Sequence, residues 1–214
     1  VDVAHSGGHQ VSAAVAVPVA ASAARPGRER SLSRGTWGMW MLILTELMIF
    51  GALIGSYFFV RAGQHPWPPR GIARPPLDKI SIATVVLLGS SVPMAWAEWA
   101  IRRGHVGRLK LGLAIAWVMG AAFLANQAVE YHDLHFGIRP TVYGSLFFTI
   151  TGLHGAHLLI GLVMNAVVQV KAWMGKFDAQ RHHTVEIASL YWHFVDGVWI
   201  LVFSSLYLSP WLLR

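Results

Sequence analysis

Five separate stretches of this chain stay apolar for about twenty residues or more, the length a helix rising about 1.5 Å per residue needs to cross roughly 30 Å of hydrocarbon. They fall at 35–60, 80–101, 111–131, 142–170 and 187–212. Within a bilayer each segment must satisfy its own backbone N–H and C=O groups, so these stretches can only be helices. The composition agrees: 13 % of residues are charged, against about 25 % in a soluble domain, and there are ten Trp and ten Phe. The expected fold class is all-α, an integral membrane bundle of five transmembrane helices forming one domain over 35–214, preceded by an N-terminal arm at 1–34.

The loops orient the bundle. Arg25, Arg28, Arg30, Arg34, Arg102, Arg103, Arg108, Lys110, Lys171, Lys176 and Arg181 fall on one side, and Arg61, Arg70, Arg74, Lys79, Arg139 and Arg214 on the other. The positive-inside rule then places the N-terminus in the cytoplasm and the C-terminus outside. Trp37, Trp40, Trp96, Trp99 and Trp173 would form the inner aromatic girdle, and Tyr57, Tyr143, Tyr207 and Trp211 the outer one. The net charge of +7 is scattered between apolar stretches, which suits lipid headgroups and excludes a nucleic-acid face. Without cysteine there is neither a disulfide framework nor a thiolate metal site. The segment VSAAVAVPVAASAA (11–24) lacks a basic leader and is broken by Pro18, so it reads as a flexible or partner-pinned cytoplasmic arm rather than a signal. The proline-rich HPWPPRGIARPP (65–76) reads as a stiff outer loop suited to packing on a neighbour.

Ionisable groups at membrane depth are candidates for function, because each costs several kcal/mol when unpartnered. Counting rise from the span ends puts Glu46 at about 16 Å from the inner face, Asp196 at about 14 Å, His154 at about 12 Å, His193 at about 9 Å and His157 at about 8 Å. Two acids and three imidazoles in one band could pair with one another inside the bundle. Three readings stand open: a polar network fixing helix register, proton conduction through Glu46 or Asp196, and a haem or metal held by His157 facing His193. The small-residue pairs Thr151/Gly155 and Gly152/Ala156, with Gly161 beyond, make the fourth span central and turn its histidines toward protein. At the outer end of the third span, QAVEYHDLH (127–135) carries Glu130 at headgroup level, where an acid needs no burial. The cluster Glu130, His132, Asp133 and His135 reads as a solvated turn, as do His182 and His183 on the inner side.

Four motifs, in order, resemble subunit III of the haem-copper terminal oxidases, the cytochrome c oxidase type. They are WGMWMLILTELMIF (37–50) with Glu46, QAVEY (127–131) with Gln127, Glu130 and Tyr131, TGLHGAHLLIG (151–161) with His154 and His157, and YWHFVDGVWILVF (191–203) with His193 and Asp196. The resemblance covers residues 35–210 and corresponds to the last five spans of a family whose longer form has seven. Gly197 stands where the family has a branched residue, and Thr45 where Ser is commoner.

The resemblance implies a non-catalytic accessory subunit of a proton-pumping oxidase that reduces O2 to water. Such a subunit docks on subunit I beside subunit II, sustains proton uptake and slows turnover-linked inactivation. It also implies that haems and copper belong to subunits I and II, that this chain holds no metal, and that no nucleic acid is a partner. Membrane lipids, a tightly bound phospholipid with Trp37 and Glu46 at the nearest matching positions, a larger respiratory supercomplex and a bacterial plasma membrane complete the implied setting. The alternatives are an accessory subunit of a quinol oxidase and the homologous protein associated with nitric oxide reductases. An independent transporter would show internal repeats and broken helices, and the sequence shows neither.

Overall fold

A computed structural model describes residues 33–212 apart from 73, 76, 135, 139 and 140. The expected arm therefore lies outside the described residues except for Ser33 and Arg34. Five helices are long and apolar enough to cross a membrane. These are α1 (Arg34–Ala62), α2 (Asp78–Arg102), α3 (Val106–Asp133), α4 (Val142–Trp173) and α5 (His183–Val202). The last span continues through a π-helical stretch, Phe203–Leu208, into a final turn, α6 (Ser209–Leu212). Several helices run past the apolar stretch that announces them. α3 begins at Val106 rather than at residue 111 because Arg108 and Lys110 can lie along the membrane boundary on their aliphatic stems. Lys110 Nζ ends 4.4 Å from the centroid of the Trp173 ring, and Arg103 lies 3.7 Å over Trp99 at the same end of the bundle.

Neighbours in sequence are neighbours in space from α2 to α5, and α5 returns to α2, which closes a ring of four helices. α1 lies against the α4–α5 side of that ring. Close approach is enabled where a side chain is missing. A Cβ on Gly112 would come within 2.6 Å of the Pro93 carbonyl oxygen and 2.8 Å of Ala97 Cβ, so α2 and α3 touch backbone to backbone there. Gly120 makes room for the Trp192 ring, which would lie 2.8 Å from an added methyl. Lipid offers no hydrophobic drive between helices, so such packing and interhelical hydrogen bonds hold them. Trp192 Nε1 donates to Ser90 Oγ at 2.9 Å, Trp199 Nε1 to Thr84 Oγ1 at 3.0 Å, and Asn165 Nδ2 to the Leu113 carbonyl at 3.3 Å.

α1 is attached differently. Its buried residues are Ile43, Phe50 and Tyr57, one every seven residues, a narrow seam of the kind a heptad makes. Met39, Leu53 and Val60 flank this seam partly buried, and the opposite side faces outward, with Met48 77 % and Phe59 81 % exposed.

Two expectations need correction. Tyr57, Tyr143 and Tyr207 are not an outer girdle: all three are fully buried. With Phe136 and Phe147 they build an aromatic outer core, ring against ring at 5.4 to 6.5 Å. The proline-rich loop also turns inward. Trp67 is buried, packs on Tyr57 and Tyr143, and donates its indole N–H to Tyr57 Oη at 2.9 Å. A belt residue needs one wet end, and the phenol of Tyr57 finds its hydrogen bond inside the chain instead.

Candidate functional site

The five mid-membrane groups do not form one network; they divide into three arrangements. The first joins α1 to α4, where His157 Nε2 lies 2.9 Å from Glu46 Oε2. His157 Nδ1 lies 2.8 Å from the Leu153 carbonyl oxygen, which only accepts, so Nδ1 carries a hydrogen. One proton then lies between Nε2 and the carboxyl group, written either as neutral imidazole with a carboxylic acid or as imidazolium with carboxylate. Both forms are neutral overall, which is what low dielectric surroundings favour. The Glu46 side chain, turned toward α4, keeps 24 % exposure, and Phe50 covers the imidazole edge-on at 5.3 Å. Trp37, more than two turns earlier on α1, is 53 % exposed.

His154, one turn before His157, is fully buried. Neither of its nitrogens has a hydrogen-bond partner among the described residues. Its ring packs as an aromatic disc, 4.7 Å from the Trp199 centroid and 6.1 Å from Phe123. It pairs with none of the other four groups.

The third arrangement joins α5 to α2 through a residue that the sequence did not single out, Ser91. Its hydroxyl donates to Asp196 Oδ2 in a short hydrogen bond, and His193 Nδ1 is 3.0 Å from Ser91 Oγ. Since the Ser91 proton goes to the carboxylate, His193 Nδ1–H must donate to Oγ. That is the reverse of a hydrolase triad, where the serine proton goes to the imidazole. Asp196 Oδ1 is buried without a partner among the described residues.

At the other end of α3, Gln127 Nε2 donates to the Thr151 carbonyl at 2.8 Å and to Tyr131 Oη at 3.2 Å. Thr151 donates to the Phe147 carbonyl, so the 2.6 Å contact between Tyr131 Oη and Thr151 Oγ1 is a bond that the phenol donates. The donors run in one direction, which fixes α3 against α4 where Thr151 and Gly155 are small. Glu130 departs from expectation: it is 9 % exposed, and Oε2 accepts from Tyr207 Oη at 3.2 Å. α3 turns this position toward the last span instead of toward water. His135 lies outside the described residues.

His182 and His183 are more than a solvated turn. Glu186 lies 3.4 Å from His182 Nε2, 3.3 Å from His183 Nδ1 and 3.3 Å from Arg102, which also pairs with Glu98 at 2.5 Å. His183 Nε2 makes a short hydrogen bond to Ser33 Oγ, the N-cap of α1. The acid at Glu186, three and four residues after the two histidines, was the available signal. Beyond the membrane, Asp178 accepts the N–H groups of Gln180 and Arg181 at 2.8 and 2.7 Å, and these bonds hold its carboxyl below the ordinary range.

Among the described residues no three His, Asp or Glu side chains converge in a way that could hold a metal ion. The Nε2 of His157 faces Glu46, so the histidine best placed for a haem is committed to an acid.

Comparison with known proteins places this geometry. The family model described as cytochrome c oxidase subunit III matches residues 24–211. A cytochrome c oxidase subunit 3 of Thermostichus vulcanus is 35 % identical over 172 residues, which covers 80 % of this chain and 85 % of the relative. The proteins of the same name from Lumbricus terrestris and Oryctolagus cuniculus are 37 % and 34 % identical, over 80 % of this chain and 68 % of each relative. With five apolar helices and the four motifs in their expected spans, the chain belongs to the cytochrome c oxidase subunit III family.

Proposed function

We propose that this chain is the accessory subunit of an aerobic respiratory haem-copper oxidase in a bacterial plasma membrane, with its N-terminus in the cytoplasm. It docks on subunit I, beside subunit II, and holds that subunit in the form that takes up protons. It binds neither haem nor copper. One observation carries this reading: Glu46 bonds His157 across α1 and α4, and Ser91 bonds His193 and Asp196 across α2 and α5. Side chains used in this way fix register, while oxygen chemistry requires ligands with open lone pairs. The outward side of α1 supports the docking role, since it leaves Met48 and Phe59 exposed, and the remaining exposure of the Glu46 side chain at mid-membrane depth suits protein or a lipid headgroup better than acyl chains.

Affinity purification of the tagged chain from native membranes tests the proposal. Haem-bearing oxidase polypeptides should accompany it. After the complex is dissociated, the haem absorbance should follow those polypeptides. Haem absorbance that stayed with this chain, or purification with no oxidase partner, would refute it.

A further inference from the structure

His193 has one polar atom that the bundle does not use. Its Nδ1 is taken up by Ser91, but Nε2 has no hydrogen-bond partner among the described residues, and unlike both nitrogens of His154 it is not enclosed. Glu98, two turns further in on α2, is held by Arg102 and makes no hydrogen bond to the imidazole among the described residues. His193 comes ten residues after the start of α5 at His183, about 15 Å along the helix and within the hydrocarbon layer.

Charge decides what Nε2 carries. Asp196 is 4 % exposed and accepts from Ser91, which in turn accepts from His193 Nδ1–H. With nothing on Nε2, the three groups hold an uncompensated negative charge inside the membrane, a costly state for a buried acid. A proton on Asp196 Oδ1 would remove the charge, but that oxygen is enclosed with no acceptor beside it among the described residues. A proton on Nε2 removes the charge without stranding a buried hydrogen, and gives imidazolium, hydroxyl and carboxylate. Moving both inner hydrogens one step toward Asp196 gives neutral imidazole and carboxylic acid, and Nε2 still keeps its hydrogen. Both neutral forms therefore present an N–H on the lateral face of the bundle, where acyl chains offer no acceptor. The surface beside it allows close approach. Gly197, one turn beyond His193, is exposed, and an added Cβ there would meet nothing within 4 Å. Ala95, one turn from Ser91 on α2, is exposed as well. Side chains this short let a second helix come near enough to bond across.

We propose that the α2–α5 face receives a transmembrane helix of a neighbouring subunit, which offers an oxygen acceptor to the Nε2–H of His193. A cation or an N–H at that place on the partner would be repelled, so the acceptor is a carboxylate, hydroxyl or carbonyl oxygen. The inference rests on the reading that this chain works within a multisubunit membrane complex, and it adds a second contact face to the outward side of α1.

The test places a photo-crosslinking residue at Ile200, 49 % exposed and one turn beyond Gly197, in the tagged full-length chain within its native membrane assembly. A second preparation carries it at Met48, on the outward side of α1. Products are mapped by mass spectrometry, and Ile200 should cross-link to a transmembrane segment of another polypeptide. A hydrogen bond between membrane helices changes the occupancy of such a contact about threefold, and up to roughly fifteenfold. The Ile200 product should therefore fall about threefold or more in His193→Phe. It should stay within about twofold of wild type in His193→Gln, whose amide N–H replaces Nε2–H. Ser91→Ala breaks the internal bond but keeps the imidazole, so it should retain most of the product. Cross-linking of Ile200 to phospholipid alone, an equal yield in His193→Phe, or the same loss in Ser91→Ala as in His193→Phe would overturn the inference. Met48 separates the two failures. Oxidase polypeptides joined at Met48 while Ile200 meets only lipid would remove this face and leave the proposed function standing, whereas no polypeptide at either position would remove both.

Discussion

The Glu46–His157 contact can be perturbed in steps whose order follows from its protons. In Glu46→Gln the amide N–H can donate to His157 Nε2, because Nδ1 already carries the hydrogen that faces Leu153. The interhelical bond survives and the cost should stay below about 1 kcal/mol, since such bonds within membranes average ~0.6 kcal/mol. Glu46→Leu removes that partner and leaves Nε2 nearly buried, which should cost about 1–2 kcal/mol. His157→Leu leaves the acid, with its side chain 24 % exposed, at mid-membrane depth. The insertion cost of an acid at a helix centre, about 2.5–3.5 kcal/mol, sets the upper end for that variant. In the double variant Glu46→Leu/His157→Leu neither partner remains to be stranded. Its loss should fall short of the sum of the two single losses by about 1–2 kcal/mol. Unfolding midpoints in a mixed-detergent titration, followed by tryptophan fluorescence, would give the four free energies. If Glu46→Gln costs as much as Glu46→Leu, the proton assignment is wrong. If the double variant equals the sum of the singles within about 0.5 kcal/mol, the groups are not coupled and the contact does not hold α1.

Other positions give shorter tests. Gly112→Val should force α2 and α3 apart and cost at least about 1–3 kcal/mol, because even one added carbon would lie 2.6 Å from the Pro93 carbonyl; the unfolding midpoint reads it. Tyr207→Phe removes the hydrogen bond to Glu130 Oε2 and should cost about 1–3 kcal/mol, whereas Tyr131→Phe, at a less buried position, should cost less in the same assay. For Asp178 the folded pKa is depressed. Its contribution to the α4–α5 loop is therefore present above the unfolded value of about 3.9 and lost only as pH falls through the lower folded value. Amide exchange of Gln180 and Arg181, corrected for intrinsic rates, should stay flat from pH 5 to 8 in the wild type and be uniformly faster, and equally flat, in Asp178→Asn.

The five spans were legible because lipid imposes one requirement on each of them separately, and a window of apolar residues records it. The centrality of α4 was legible too: a Cβ added to Gly155 or Gly161 would meet Gln127, Tyr191 or Trp192 at 3.3 to 3.7 Å. Depth along a helix could be counted, which put Glu46 and His157 within reach of each other. Direction around a helix could not be counted without knowing its neighbours. That is why Glu130, counted to headgroup level, proved to face Tyr207, and why three tyrosines near helix ends proved to be core. Ser91 escaped notice for a related reason. A hydroxyl residue in an apolar span usually bonds its own helix backbone, as Thr84 does to Ile80, and only the position of α5 shows that Ser91 answers His193 and Asp196.

The attachment of α1 ties these observations together. A helix joined to the bundle only by apolar residues such as Ile43, Phe50 and Tyr57, with lipid on its outward side, would have little to choose between that seam and another rotation, because acyl chains are as apolar as leucine. Three polar contacts at three depths remove the choice. Ser33 meets His183 at one end, Glu46 meets His157 midway, and Arg61 donates to the Ser209 hydroxyl and carbonyl at 2.5 and 3.2 Å at the other end. The contacts lead to α5, α4 and α6, so sliding or turning α1 by one residue would break all three together. The seam supplies area and the polar contacts supply register. Register in turn fixes which outward residues α1 presents to a neighbouring subunit, and that is the property a docking helix needs from the chain behind it.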